Sequence, residues 1–359
     1  MDELRSGGGR VIRGWTEAGL ARVDAGLLRM ASQKNRLIGI ALLRIVIGLA
    51  TVMYCLADYG NRRFLWGPDS YNSIETAKAA LSHGSFSLFL VSHSTVWFEI
   101  VFHATILVSA VYMVYGGRAL TFVQAVLMWS LHNRNQDVLE GGDNLAQILI
   151  IFMVFTVSNA YFAPGAKQRR SRLLDHTAPS LPTVLHNLAA YLIVFQTAVL
   201  YLAAGYWKIT GKMWQDGVAM YYISRLTGFQ IWPAYAHLMS NAYVTTAVSY
   251  FTIFFELALP FAILSARGWV RKANTLALES MHLGIMVFMG LVCFGLLMIG
   301  ADCTCLRDED YRSLKTRVTA LTSRFASPVR PTALAGTATG VDTALGTGGP
   351  HTGEADARS

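Results

Sequence analysis

Leu37-Ile-Gly-Ile-Ala-Leu-Leu-Arg-Ile-Val-Ile-Gly-Leu-Ala-Thr-Val-Met-Tyr-Cys-Leu-Ala57 carries a single charge, on Arg44. A helix rises about 1.5 Å per residue, so roughly 20 apolar residues cross the hydrocarbon core of a bilayer. This run is long enough to do so. Similar runs follow at 96–115, 119–131, 144–162, 184–204, 243–264 and 276–299. The expected fold is all-α, a polytopic transmembrane helical bundle of about seven spans. The short third run and easily missed polar-rich spans leave six to nine open.

Composition agrees. Of 359 residues, 53% are hydrophobic and only 14% charged, against about 25% charged in soluble domains. That excludes a soluble globular enzyme, a disordered protein and a small disulfide-stapled domain. The four cysteines make no disulfide framework. The net charge of +8 reads as topology and contact with membrane lipid, with no nucleic acid as partner. No cleavable signal peptide is expected, because the first apolar run begins at Leu37 and is too long for one.

Loop charge orients the spans. Arg5, Arg10, Arg13, Arg22, Arg29, Lys34 and Arg36 precede the first run; Lys167, Arg169, Arg170 and Arg172 follow the fourth; Arg267, Arg271 and Lys272 follow the sixth. These segments are expected on the cytoplasmic side of the cell membrane, with the N-terminus. With seven spans the C-terminus then lies outside. Residues 1–36 form a basic N-terminal segment in which 14–30 is either an interfacial helix or a loose tail. Residues 37–306 form the membrane domain, and 307–359 a flexible tail.

An ionisable group at mid-span costs about 2.5–3.5 kcal/mol on insertion scales and usually faces the bundle interior. Several occur here: Arg44, Glu99 with His103, His132, His186, Glu256, and Glu279 with His282. Arg44 is expected to pair with Glu256 or Glu99. Each residue alone has a structural explanation. Together they favour a polar cavity, a substrate site or a proton path. No HxxxH, CxxC or HExxH pattern occurs, so no metal is expected. A disulfide between Cys55 and Cys303 or Cys305, or free thiols, both fit the spacing.

Two motifs stand out. The first is Trp129-Ser-Leu-His-Asn-Arg-Asn-Gln-Asp-Val-Leu-Glu-Gly-Gly-Asp-Asn-Leu145. Here Asp143 either N-caps the next helix or faces a polar substrate group. The second is Ala203-Ala-Gly-Tyr-Trp-Lys-Ile-Thr-Gly-Lys-Met-Trp-Gln-Asp-Gly217. Lys208 either snorkels to the interface or points into the bundle, where a neutral lysine is a competent base.

The order and spacing of these motifs, with the Arg44 span, Glu256 and His282, resemble the HTTM family. Its members are bacterial relatives of the membrane part of vitamin K-dependent gamma-carboxylase. The resemblance covers residues 33–306. It implies a multi-pass bundle that uses a reduced quinone of vitamin K or menaquinone type. Lys208 falls on the lysine that deprotonates the quinol, and the base then formed with O2 removes a carbon-bound proton. His282 matches a histidine of a late span. The catalytic Asn-His pair of the carboxylase falls near Gly142-Asp143 and is not kept. The large extracytoplasmic domain is also missing, so a quinol or lipid-like site is expected without peptide glutamate carboxylation. The candidate catalytic residues are Lys208, His282 and Asp143. The candidate substrate-binding residues are Arg44, His132, Asn135, Trp214 and Glu256. The competing expectation is a non-enzymatic membrane partner in the maturation or export of a secreted peptide.

Overall fold

The computed structural model describes residues 24–81, 84–175 and 178–325. Residues 1–23, which include most of the segment 14–30, and all of the tail beyond 325 lie outside the described residues. Residues 1–315 form one compact unit and 316–359 a second. Among the described residues there is no strand. The main helices are α1 (Leu37–Ala57), α2 (Thr95–Tyr115), α3 (Arg118–Arg134), α4 (Gly141–Met153), α5 (Leu181–Thr210), α6 (Ala242–Leu264), α7 (Gly268–Gly284), α8 (Val292–Cys305) and α9 (Asp308–Phe325). Four of them, α1, α2, α5 and α6, are long and apolar enough to cross a membrane.

The expected seventh span, 276–299, is two helices. α7 passes into a single π-helical stretch, Ile285–Met289, and the chain reverses at Gly290, whose φ of 73° suits a residue without Cβ. α8 then returns along α7, and a Cβ on Gly295 would lie 3.0 Å from the His282 carbonyl oxygen. α8 also runs antiparallel to α1. A Cβ on Gly39 would meet the Cys303 carbonyl oxygen at 2.5 Å, and one on Gly300 would meet Val46 at 2.9 Å. Small residues at these points let the two backbones close on each other.

The chain therefore leaves the bundle at the end where it entered, against the expectation of opposite ends. Arg36 fixes the closure. Its guanidinium donates to the carbonyls of Thr304 (2.6 Å) and Leu306 (3.3 Å) at the C-terminus of α8. Asp308 accepts from the N–H groups of Leu37 (3.1 Å) and Ile38 (2.9 Å) at the N-terminus of α1. Both contacts place charge where the helix dipole favours it. The segment expected as tail begins with α9, anchored by a buried ion pair between Arg271 and Asp310. All four cysteines are free. Cys303 and Cys305 sit beside the start of α1, and Cys55 lies near its other end, because α8 is antiparallel to α1.

Arg44 pairs with neither glutamate. Its guanidinium donates to the carbonyls of Tyr112 (3.2 Å), Tyr161 (3.4 Å) and Phe162 (2.7 Å). The Tyr112 carbonyl also accepts from the Gly116 N–H (3.1 Å) at the end of α2, and Tyr161 and Phe162 lie in the non-helical chain after α4. α4 is only 13 residues long, about 20 Å, and residues 154–162 of the expected fourth span form turns and bends. Glu99 instead binds Arg62 (3.0 Å) and Arg63 (2.7 Å).

Candidate functional site

α5 is 30 residues long, and its last turns carry Lys208. Gly205 makes room for α6: a Cβ there would lie 2.7 Å from Leu257. The close approach brings Lys208 level with Glu256, in the middle of α6. The Nζ of Lys208 is 2.8 Å from each carboxylate oxygen of Glu256. The side chains are 20% and 5% exposed, and the lysine is turned toward α6. The Nζ also lies 5.3 Å from the centre of the Trp214 ring, within cation–π range.

This pair borders a cavity of about 760 Å³, inside the range of small-molecule sites. α5, α6, α7 and α8 form its walls, and the segment between α5 and α6 covers it with Trp214, Met220, Ile223 and Tyr235. Phe251, Phe288 and Phe294 make much of the wall apolar and flat. The ionisable side chains at its surface are Lys208, Glu256, Tyr235, His282 and Tyr201. The last two belong to a buried cluster. The Tyr201 hydroxyl is 2.7 Å from His282 Nε2 and 2.9 Å from Asp302 Oδ2. His282 Nδ1 and Asp302 Oδ1 are buried with no hydrogen-bond partner. An ion pair at one place, an unpartnered imidazole nitrogen at another and aromatic walls between them suit a flat ring with polar substituents.

Four of the eight predicted site residues come together here: Lys208, Glu256, Trp214 and His282. The others do not line the cavity. The N-cap of α4 is Glu140 and not Asp143, which sits at the third helical position and completes a capping box by accepting from the Glu140 N–H at 2.9 Å. It lies 3.9 Å from His132 Nε2, and His132 Nδ1 is 2.6 Å from Gln147 Nε2. That polar cluster is separate from the cavity, although neighbouring Gly141 reaches the cavity wall. Asn135 orders a loop, donating to the Leu65 carbonyl (3.0 Å) and accepting from Tyr71 (2.9 Å). Arg44 serves the three carbonyls already described. Tyr201 and Asp302 were missed. Tyr201 lies two helical turns before Lys208, hence on nearly the same face, and Asp302 is an acid inside the apolar run of α8.

Among the described residues no group of three or more His, Cys, Asp or Glu could hold a metal. No family model, no curated protein and no solved structure matches this chain.

Proposed function

We propose that the protein is a membrane enzyme that binds a quinol or a similar lipid-like ring compound in this cavity, with Lys208 as the proton-accepting residue. The observation that carries the proposal is the Lys208–Glu256 pair, buried beside Trp214 at the edge of an aromatic-walled cavity. The motif order that resembles the carboxylase relatives supports the same choice. A quinol supplies acidic O–H groups and two electrons, and O2 is the co-reactant that takes up those electrons. Glu256 holds the lysine ammonium in place and accepts hydrogen bonds. Loss of a proton from Lys208 to Glu256 leaves a neutral amine facing a neutral acid, and that amine can take the proton of a bound hydroxyl. Trp214 and the phenylalanines keep water out and hold the ring flat. Lipids extracted from the purified protein are expected to contain a quinone, detected by absorbance and mass. Its absence, with no quinol oxidation, favours the accessory-partner alternative.

The protein is inferred to lie in the cell membrane with both ends of the bundle chain on the cytoplasmic side. The helices α1 to α8 then make eight passages. Arg36, Arg118, Lys167 to Arg172, Arg267 to Lys272, and Arg307 and Lys315 gather on one side, as the positive-inside tendency requires. On the other side, 135–140 and 285–291 hold no Lys or Arg, and the longer segments 58–94 and 211–241 hold five: Arg62, Arg63, Lys78, Lys212 and Arg225. Single cysteines placed at Gln168 and Glu309, in an otherwise cysteine-free chain, are expected to resist an impermeant thiol reagent in intact cells. Labelling of Glu309→Cys alone would refute the even number of passages, and labelling of both would reverse the orientation.

A further inference from the structure

We propose that Asp302, Tyr201 and His282 form a proton relay between the cavity and the end of the bundle where α8 closes on α1. It rests on the cavity being a proton-transfer site and assigns a role to two residues that no motif singled out. The geometry is a chain of two short contacts through one phenol oxygen, 2.9 Å to Asp302 Oδ2 and 2.7 Å to His282 Nε2. All three side chains are at most 2% exposed. A phenol has one hydrogen, so it cannot donate to both neighbours. Either Asp302 is protonated and donates to Tyr201, which donates to Nε2, or Nε2–H donates to Tyr201, which donates to the Asp302 carboxylate.

The two arrangements interconvert by one concerted shift. Asp302 gives its proton to the Tyr201 oxygen as Tyr201 gives its own to His282 Nε2. The imidazolium so formed releases its Nδ1 proton to a basic group in the cavity. Each O–H or N–H electron pair stays on the atom that loses the proton, and nothing is oxidised. The products are the Asp302 carboxylate, an unchanged phenol and a neutral imidazole.

The free ends of the chain are the strongest sign of traffic. His282 Nδ1 and Asp302 Oδ1 are buried without partners. Leaving a buried polar atom unpaired is costly, so a purely structural triad would be selected to satisfy both. One end belongs to a cavity-lining residue. Glu279 on α7 accepts from Cys303 Sγ at 3.8 Å, one residue along α8 from Asp302, and lies within electrostatic range of Asp302. The Cys303 carbonyl accepts from Tyr311 at the start of α9 (2.7 Å). In the relay Glu279 is the acid that reloads Asp302. The other ionisable groups around the relay are Lys208 and Glu256 on the cavity side and Arg36, Cys303 and Cys305 on the far side.

The test is infrared spectroscopy of the full-length protein in lipid bilayers, before and after transfer to heavy water, with no substrate added. The expected result is a carbonyl stretch from a protonated carboxylic acid that shifts on deuteration and vanishes in Asp302→Asn. Tyr201→Phe keeps the side-chain volume and removes both contacts. There, deuteration of that band is expected to slow by about 10²-fold, the low end of what a positioned proton-transfer group contributes. Glu279→Gln is expected to slow it as well. Absence of the band from the wild type, its survival in Asp302→Asn, or wild-type exchange in either of the other variants overturns the relay. Because no quinol is used, a protein that passes this test but oxidises no quinol refutes the quinol assignment and leaves the relay standing.

Discussion

Lys208→Arg is expected to lower quinol oxidation by roughly 10²–10⁴-fold while the variant folds and inserts like the wild type. The ion pair survives the change, because a guanidinium binds a carboxylate with two parallel hydrogen bonds. Glu256, 5% exposed, keeps a cationic partner. What is lost is the ability to give up a proton near neutral pH, which arginine lacks. The two roles open to Lys208 therefore separate cleanly. An interface anchor needs only a charge on a long stem and tolerates arginine. A base does not. The measurement is turnover of a soluble quinol by the purified variant and wild type at several pH values, with folded yield as the control. Wild-type turnover in the variant would make Lys208 an anchor.

Arg271→Ala or Asp310→Ala is expected to destabilise the protein by about 3–5 kcal/mol, the usual result of stranding one member of a buried pair. Both side chains are 5% exposed, and Arg271 meets the carboxylate with two bonds, Nε at 2.9 Å and a terminal nitrogen at 3.1 Å. Asp310 also accepts from the Arg307 N–H at 3.1 Å, so its loss frees the start of α9. Removing both charges with residues of similar volume, Arg271→Met with Asp310→Leu, is expected to recover most of the loss, because no charge is then left buried alone. Thermal unfolding in detergent checks this. A single variant as stable as the wild type, or a double variant no better than the singles, would show that the pair does not hold α9 to α7.

Much of the fold was legible in the amino-acid sequence. The runs 37–57, 96–115 and 243–264 became α1, α2 and α6 with boundaries close to those expected, because length and apolarity decide them, whereas 184–204 became the longer α5, which runs on to Thr210 and takes in Lys208. The reversal inside 276–299 was not legible. That stretch is apolar on both sides of the break, and hydropathy carries no sign of direction. Glycine is common enough in membrane helices that Gly284, Gly290 and Gly295 did not mark a turn. The missed reversal changed the side of the C-terminal segment and separated Cys55 from Cys303. Arg44 went wrong for a related reason. A search for its partner among carboxylates cannot see backbone carbonyls, and those of Tyr161 and Phe162 come within reach only because the chain after α4 is not helical. At the site, Lys208, Glu256, Trp214 and His282 were each visible as polar or aromatic residues out of place. Their meeting depends on the approach allowed at Gly205, a tertiary fact. Asp143 and His132 share a motif with strong local character, but that character is spent on capping α4 and ordering a turn.

The central claim is that the cavity holds a quinol-like ring against Lys208, and occlusion tests it most directly. Ala204 lines the cavity one turn before Lys208. Ala204→Trp fills space there and removes no charged group. Wild type and variant, purified in parallel from the same membranes, are extracted and their quinone content per chain compared by absorbance and mass. The expected result is about one quinone per wild-type chain and a large loss in Ala204→Trp at equal folded yield. Quinone absent from both, or equal in both, would contradict a quinol site in this cavity.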